Sequence, residues 1–267
     1  MEASVTLLTY ISILGFILGF VVSKTNFCTM GAVSDWVNIG DLSRFKSWMF
    51  AAGIAILGVT ILEYTSYINV NDSRIPYRNS VFFWPRYILG GLMFGIGMTY
   101  ASGCGNKVLI RVGGGNIKSI VVLLVAGSMA YLMTRTDFYG VVFHSWMSPI
   151  SPDLAKIGIE DQSLSTILSY LFSSENLSNT KLLVGLIIAS IVMLLIFKSG
   201  TFIKNTDNLL GGFVVGIVVI IAWFLTGSSL GQEWIETNNF LDTPQPGVGM
   251  QSFTFINPMG CLLYTST

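Results

Sequence analysis

The sequence predicts an all-α fold: a polytopic membrane bundle of about six transmembrane helices, with short re-entrant segments after repeated glycine/cysteine motifs. Composition is the first observation behind this. Of 267 residues, 52% are hydrophobic and only 10% are charged, whereas a soluble domain carries about a quarter charged residues. Mean hydropathy is +0.68. The second observation is a series of uncharged apolar runs, several reaching the roughly 18 residues that cross a hydrocarbon core. Backbone polar groups in lipid must bond within their own segment, so such runs are helices.

Taken in order, the first run is Ser4–Ser23. Glu2 is the only charge before Lys24, so the run lacks the basic leader of a cleaved signal and reads as a retained helix. Ser47–Leu62, Tyr87–Asn106 and Ser119–Thr134 follow, the first and last of these slightly short. Leu182–Phe197 and Leu209–Gln232 complete the set. The whole chain, 1–267, is read as a single integral membrane domain with repeat-like units at about 4–64 and 80–135. The acidic connection Asp137–Asn179 has room for short surface helices.

Lysine and arginine positions set the expected orientation. Arg44 and Lys46 precede the second span, Lys107, Arg111 and Lys118 the fourth, and Lys198 and Lys204 the sixth. The positive-inside rule puts those loops in the cytoplasm and both ends of this chain outside. The connection with Arg74, Arg78 and Arg86 dissents. Formal net charge is zero, which implies no nucleic-acid partner. The bilayer itself is the partner that composition demands.

A repeat runs through the spans. GFILGFVVSKTNFC ends at Cys28 and GLMFGIGMTYASGC ends at Cys104, so Gly15, Gly19 and Cys28 map onto Gly91, Gly95 and Cys104. Gly212 and Gly216 form a third echo, with Leu225 in the cysteine position and Thr-Gly-Ser-Ser just beyond. Paired glycines four apart let a neighbouring backbone approach closely. Repeated halves with a site at their interface are a common transporter design.

Helix-breaking composition is expected after each cysteine: the polar stretch Ser34–Ser43 after Cys28, and Gly105, Asn106 and Gly113–Gly115 after Cys104. Irregular backbone at membrane depth is tolerated where it lines a cavity. Interrupted helices also turn bare N–H groups toward anions. Lys107 and Arg111, four apart and on one face of a helix, add positive charge; a plain cytoplasmic loop would carry the same two cations.

The cysteines number three: Cys28, Cys104 and Cys261. An odd count without CxxC argues against a zinc site or a thioredoxin-like pair, and no motif calls for a cofactor. His144, the lone histidine, has no second ligand nearby in sequence. Isolated membrane cysteines usually act as small apolar filler, but equal glycine spacing favours a functional reading for Cys28 and Cys104. Cys261 does not fit the spacing and stays undecided. A thiol is a weak donor and a soft partner, suited to an anion whose terminal sulfur accepts S–H contacts while its oxygens meet N–H groups. Weak contacts let such an ion pass on without being trapped.

NFCTMGAVSDW and FWPRYILGGLMFGIGMTYASGCGNKVLIRVGGGN resemble the YeeE/YedE family of membrane proteins associated with sulfur transport. The similarity is most specific over about Gly15–Asp35 and Phe83–Val125. It implies thiosulfate uptake across the bacterial inner membrane, an hourglass of transmembrane and re-entrant helices, and thiols that hand the ion along by S–H···S contacts. Cys28 takes the place of the cysteine in the family's Phe-Cys motif and Cys104 that of the Gly-Cys-Gly motif. The family also carries a later glycine-spaced segment ending in Gly-Cys-Thr, so the chain is expected to be incomplete at its C-terminal end.

The resulting expectation is a permease, not an enzyme, for thiosulfate or a related sulfur anion. Cys28 and Cys104 would contact the ligand, with Gly103, Gly105, Asn106, Lys107 and Arg111 in support. A small cytoplasmic sulfur-carrier protein fits the family as a partner. Selenium-compound uptake, a persulfide sulfur-transfer protein and a structural subunit are the alternatives.

Overall fold

The computed structural model describes residues 2–73, 78–172, 176–198, 200, 202–241, 248–256 and 258–259. It is all-α, and the described residues hold only two isolated β-bridges, Ser73 with Met250 and Val81 with Asp153. The helices are α1 (Glu2–Thr25), α2 (Thr29–Ile39), α3 (Ser43–Tyr64), α4 (Trp84–Tyr100), α5 (Gly105–Gly113) and α6 (Ile117–Arg135). After them come α7 (Ser145–Met147), α8 (Leu164–Leu171), α9 (Leu177–Phe197), α10 (Thr206–Gly227) and α11 (Ser229–Asn239). Among the described residues six stretches are long and apolar enough to span a membrane: Ser4–Ile39, Ser43–Tyr64, Trp84–Gly113, Ile117–Arg135, Leu177–Phe197 and Thr206–Gly227.

Helix starts follow local chemistry. Asn116, Ser163 and Asn205 accept from the N–H of Ser119, Thr166 and Asn208, capping α6, α8 and α10, which satisfies donors the first turn leaves bare. Pro85 occupies the first turn of α4, where its missing N–H costs nothing. Gly40 ends α2 with φ 77°, a left-handed conformation that glycine adopts without penalty.

The break expected in the polar stretch Ser34–Ser43 lies at its far end, where α2, helical through Ile39, stops at Gly40. Two expectations from sequence need correcting. The run Tyr87–Asn106 is not one helix, because α4 stops at Tyr100. Likewise Leu209–Gln232 is divided at Ser228, whose extended backbone (ψ 176°) separates α10 from α11. Hydropathy averages over such breaks and cannot register one residue leaving helical geometry. The acidic connection holds a π-helical turn, Gly140–His144, that runs into α7, and then α8.

The chain forms two compact units. One comprises Met1–Phe27, Asp41–Ser80 and Leu154–Phe253; the other comprises Cys28–Gly40, Val81–Asp153 and Thr254–Thr267. In the first unit α3 packs on α9 and α10, and α1 packs on α10 and α11. Phe50, Ile196 and Phe202 form a buried cluster, with the Phe50 ring edge-on to Phe197 at 5.7 Å and to Phe202 at 5.6 Å. The buried Ser47 hydroxyl donates to Asn208 O at 2.6 Å, so the close α3–α10 approach leaves that polar group satisfied.

Small residues make the approach possible. A Cβ at Gly212 would lie 2.6 Å from Ser47 O, and one at Gly216 would lie 3.0 Å from Ala51 O. Both obstacles are backbone of α3 and cannot rotate away. The two glycine pairs that precede cysteines behave differently. Among the described residues Gly19, Gly91 and Gly95 have nothing within 4 Å of a Cβ position, and Gly15 meets only the Phe253 ring at 3.8 Å. The same spacing thus serves helix packing in α10 and leaves an open helix face in α1 and α4.

A chain of ion pairs closes one end of this unit. Glu63 receives Lys181 Nζ at 2.8 Å and Arg78 Nη2 at 3.7 Å, and Arg78 Nη1 reaches Asp161 at 3.5 Å. Burial alone would raise the Asp161 carboxyl, but hydrogen bonds from Ser163 and Thr166 and the charge of Arg78 outweigh it and hold the group below its ordinary value.

Gly212→Ala and Gly216→Ala should each cost about 1–3 kcal/mol by overpacking. Gly91→Ala and Gly95→Ala should leave the thermal midpoint in detergent at or above that of the parent. Equal losses at all four positions would contradict this division of roles.

Candidate functional site

Two helix interruptions in the second unit and at its border share one backbone pattern. In the first, α1 ends at Thr25, Asn26 turns left-handed (φ 51°), and Cys28 is extended (φ −156°, ψ 128°) before α2 begins. In the second, α4 ends at Tyr100, Ser102 turns left-handed (φ 54°), and Cys104 is extended (φ −73°, ψ 168°) before α5 begins. Each cysteine therefore sits two residues after a left-handed residue, at the N-cap of a short new helix. Breaks therefore fall just before the cysteines as well as in the segments after them, at Gly40 and at Gly114–Gly115.

The second break can be followed bond by bond. Ser102 N–H donates to Thr99 O at 3.2 Å and Gly103 N–H to Met98 O at 3.0 Å. This is the Schellman arrangement, with Ser102 where glycine usually stands. Val108 N–H then donates to Cys104 O at 3.0 Å, and Ala32 N–H to Cys28 O at 2.9 Å, so each cysteine carbonyl opens the hydrogen-bond ladder of the next helix. L-residues pay for a left-handed backbone with roughly 1–2 kcal/mol each, though asparagine tolerates it better than serine. Of the three non-glycine residues described with a left-handed backbone, Asn26, Ser66 and Ser102, two stand beside a thiol.

The two cysteine side chains meet. Cys28 Sγ and Cys104 Sγ are 3.7 Å apart, within reach of an S–H···S contact in either direction. Cys28 is buried and Cys104 partly exposed, and neither is in a disulfide. Both cysteines are N-caps, of α2 and α5, so the sulfur atoms meet at two helix starts.

The supporting residues cluster around Cys104. Gly103 is buried beneath Lys107: a Cβ there would lie 3.1 Å from Lys107 Cβ and 3.9 Å from Arg111 Nη1. Lys107 and Arg111 therefore share the α5 face that covers Gly103. At Gly105 a Cβ would lie 2.9 Å from Ile256 Cδ1 and 3.5 Å from Phe255 Cβ, so glycine lets Phe255 and Ile256 lie on α5. Asn106 is partly buried on the first turn of α5. An apolar cavity of about 690 Å³ runs between α4 and α6 and is bordered by Gly103, Gly105 and the thioethers of Met93, Met98, Met129 and Met133. Cys261, undecided from sequence, lies outside the described residues.

Sequence reasoning passed over two features. Asn26 and Ser102 create the breaks; Asn26 carries a recognisable left-handed preference, while nothing in a serine signals it. Arg86, in FWPRY, stacks over the Phe83 ring at 4.6 Å and the Tyr139 ring at 5.1 Å and donates to the Tyr139 hydroxyl. His144 adjoins the same rings at 5.6 and 6.1 Å. Among the described residues no group of three or more His, Cys, Asp or Glu side chains is placed to hold a metal.

Membrane-length helices interrupted at thiol-bearing N-caps define a multi-pass membrane protein with broken helices, the architecture that transporters use to bring polar groups to membrane depth. The chain belongs to the sulphur transport family, whose model matches residues 24–263, in agreement with the YeeE/YedE resemblance of its motifs. A thiosulfate transporter TsuA of Escherichia coli is 28% identical over 129 residues, 48% of this chain and 35% of that protein. The thiosulfate transporter TsuA of Spirochaeta thermophila is 24% identical over 250 residues, 84% of this chain and 72% of that protein. The matched stretch thus spans about a third of the first relative and under three quarters of the second.

Ser102→Gly should preserve or raise stability, whereas Ser102→Val should lower it by about 1–2 kcal/mol or more, since a β-branched residue resists the left-handed region. Thermal melting of the purified protein reads the difference. Equal melting of the two variants would show that the turn at 102 is not under conformational strain.

Proposed function

We propose that this chain carries thiosulfate, or a closely related sulfur anion, across the bacterial inner membrane as a permease and not as an enzyme. The observation that carries the reading is the pairing of two thiols 3.7 Å apart, at equivalent helix starts, in a chain of the sulphur transport family. The names of its two relatives supply the substrate.

The chemistry is that of a soft relay. The terminal sulfur of the ion accepts S–H from one thiol and then from its neighbour, while its oxygens take N–H groups at the helix starts around Gly103, Gly105 and Asn106. Helix N-termini favour negative charge, and Lys107 and Arg111 offset the charge of the dianion. An S–H contact is weak, so the ion is held long enough to be selected and released fast enough to move on. Sulfate lacks the soft terminal atom and would gain nothing from the thiols.

Cys28→Ser and Cys104→Ser should each lower uptake of radiolabelled thiosulfate into proteoliposomes about tenfold or more, by the loss of a step in a multi-site path. Protein content and melting should stay near those of the parent. Undiminished uptake by both single variants would remove the relay.

A further inference from the structure

We propose that Cys28 and Cys104 are also a redox modification site: polythionates, the oxidised and S–S-linked forms of thiosulfate, convert the pair to a disulfide that closes the passage. The choice of oxidant rests on the sulfur-anion reading above; the geometry of the pair does not. The two sulfur atoms stand 3.7 Å apart and must approach by roughly 1.7 Å to reach the ~2.05 Å of a bond. Both thiols are free and belong to the same compact unit, so no rearrangement between units is needed. Each sits at the end of an extended residue preceding a helix, where a small backbone rotation moves the side chain without unwinding a turn.

The step balances. Cys104, the more exposed of the two, attacks an inner sulfur of tetrathionate as its thiolate, its proton passing to water. The central S–S bond breaks, one thiosulfate leaves, and Cys104 carries an –S–SO3⁻ group. The Cys28 thiolate then attacks Cys104 Sγ, expelling the second thiosulfate and forming the Cys28–Cys104 bond. Two thiols are oxidised and one tetrathionate is reduced to two thiosulfates, with two protons released. An inner sulfur is the favoured target because thiosulfate is a good leaving group, and exchange rates follow leaving-group stability. The product has no S–H donor left at either position, so the relay has lost both of its soft contacts.

This connects two properties of one site. A path that selects ions by a terminal sulfur also admits molecules that contain two such sulfurs joined together. Under oxidising conditions the pair would then record the oxidation state of the sulfur pool and stop uptake, and a dithiol reductant would restore it.

The test uses the full chain with Cys261→Ser, reconstituted in liposomes, so that only the two paired thiols are present. After tetrathionate treatment, peptide mass spectrometry should find the Cys28 and Cys104 peptides joined, with loss of two hydrogens. Thiosulfate uptake should fall about tenfold, as expected when a site on the path is removed, and return with dithiothreitol. Diamide, which oxidises thiols without resembling a sulfur anion, should form the same bond. If both cysteines remain separately alkylatable after either reagent, or the joined protein transports at the reduced protein's rate, the proposal is overturned. Absence of uptake by the reduced protein would instead refute the transport reading, and the peptide measurement would still decide the modification site.

Discussion

Everything at the centre of this protein depends on a local backbone constraint. A left-handed residue stops one helix, and two residues later an extended cysteine starts the next. Asparagine and serine are poor helix formers, and at Asn26 and Ser102 the helices stop. The interruption turns two sulfur atoms toward each other at 3.7 Å, at the starts of α2 and α5. A continuous α4 would have carried Cys104 around the helix with the apolar residues of its neighbours, as small filler. The left-handed turn and the placement of the thiol are the same structural fact.

The glycines divide along the same line. In α10 the pair Gly212 and Gly216 is pressed on the α3 backbone, and the helices of that unit pack tightly around it. In α4 the equivalent pair faces open space, beside a methionine-bordered cavity that reaches both neighbours of Cys104. One repeat has thus become scaffold, and two have become the place where helices break over a thiol. The third break, at Ser228, keeps the extended conformation of Cys104 but carries a hydroxyl instead.

Much of this was legible in the chain. The six apolar stretches and their order follow from hydropathy, and Cys28 and Cys104 follow from their matched distance to glycine pairs. Lys107 and Arg111 do share a helical face, as a four-residue spacing requires. What escaped was decided by single residues in an otherwise uniform environment. Ser102 has no left-handed signature, so the end of α4 was placed six residues too late. The arginines that disturbed the charge pattern proved to have internal tasks: Arg78 pairs with Glu63 and Asp161, and Arg86 lies between two aromatic rings. Counting cations treats such groups as solvated, and only tertiary structure reveals that they are not; Arg74 lies outside the described residues.

The claim that these sulfur atoms touch a passing ion by S–H contacts can be read from the contacts themselves. Infrared spectra of the S–H stretch, with bands assigned to Cys28 and Cys104 by their loss in the serine variants, report hydrogen bonding at each thiol directly. Thiosulfate should move both bands to lower frequency, and sulfate at the same concentration should move neither. Bands that stay in place at thiosulfate concentrations supporting uptake would mean that the ion travels elsewhere and that the paired thiols are bystanders.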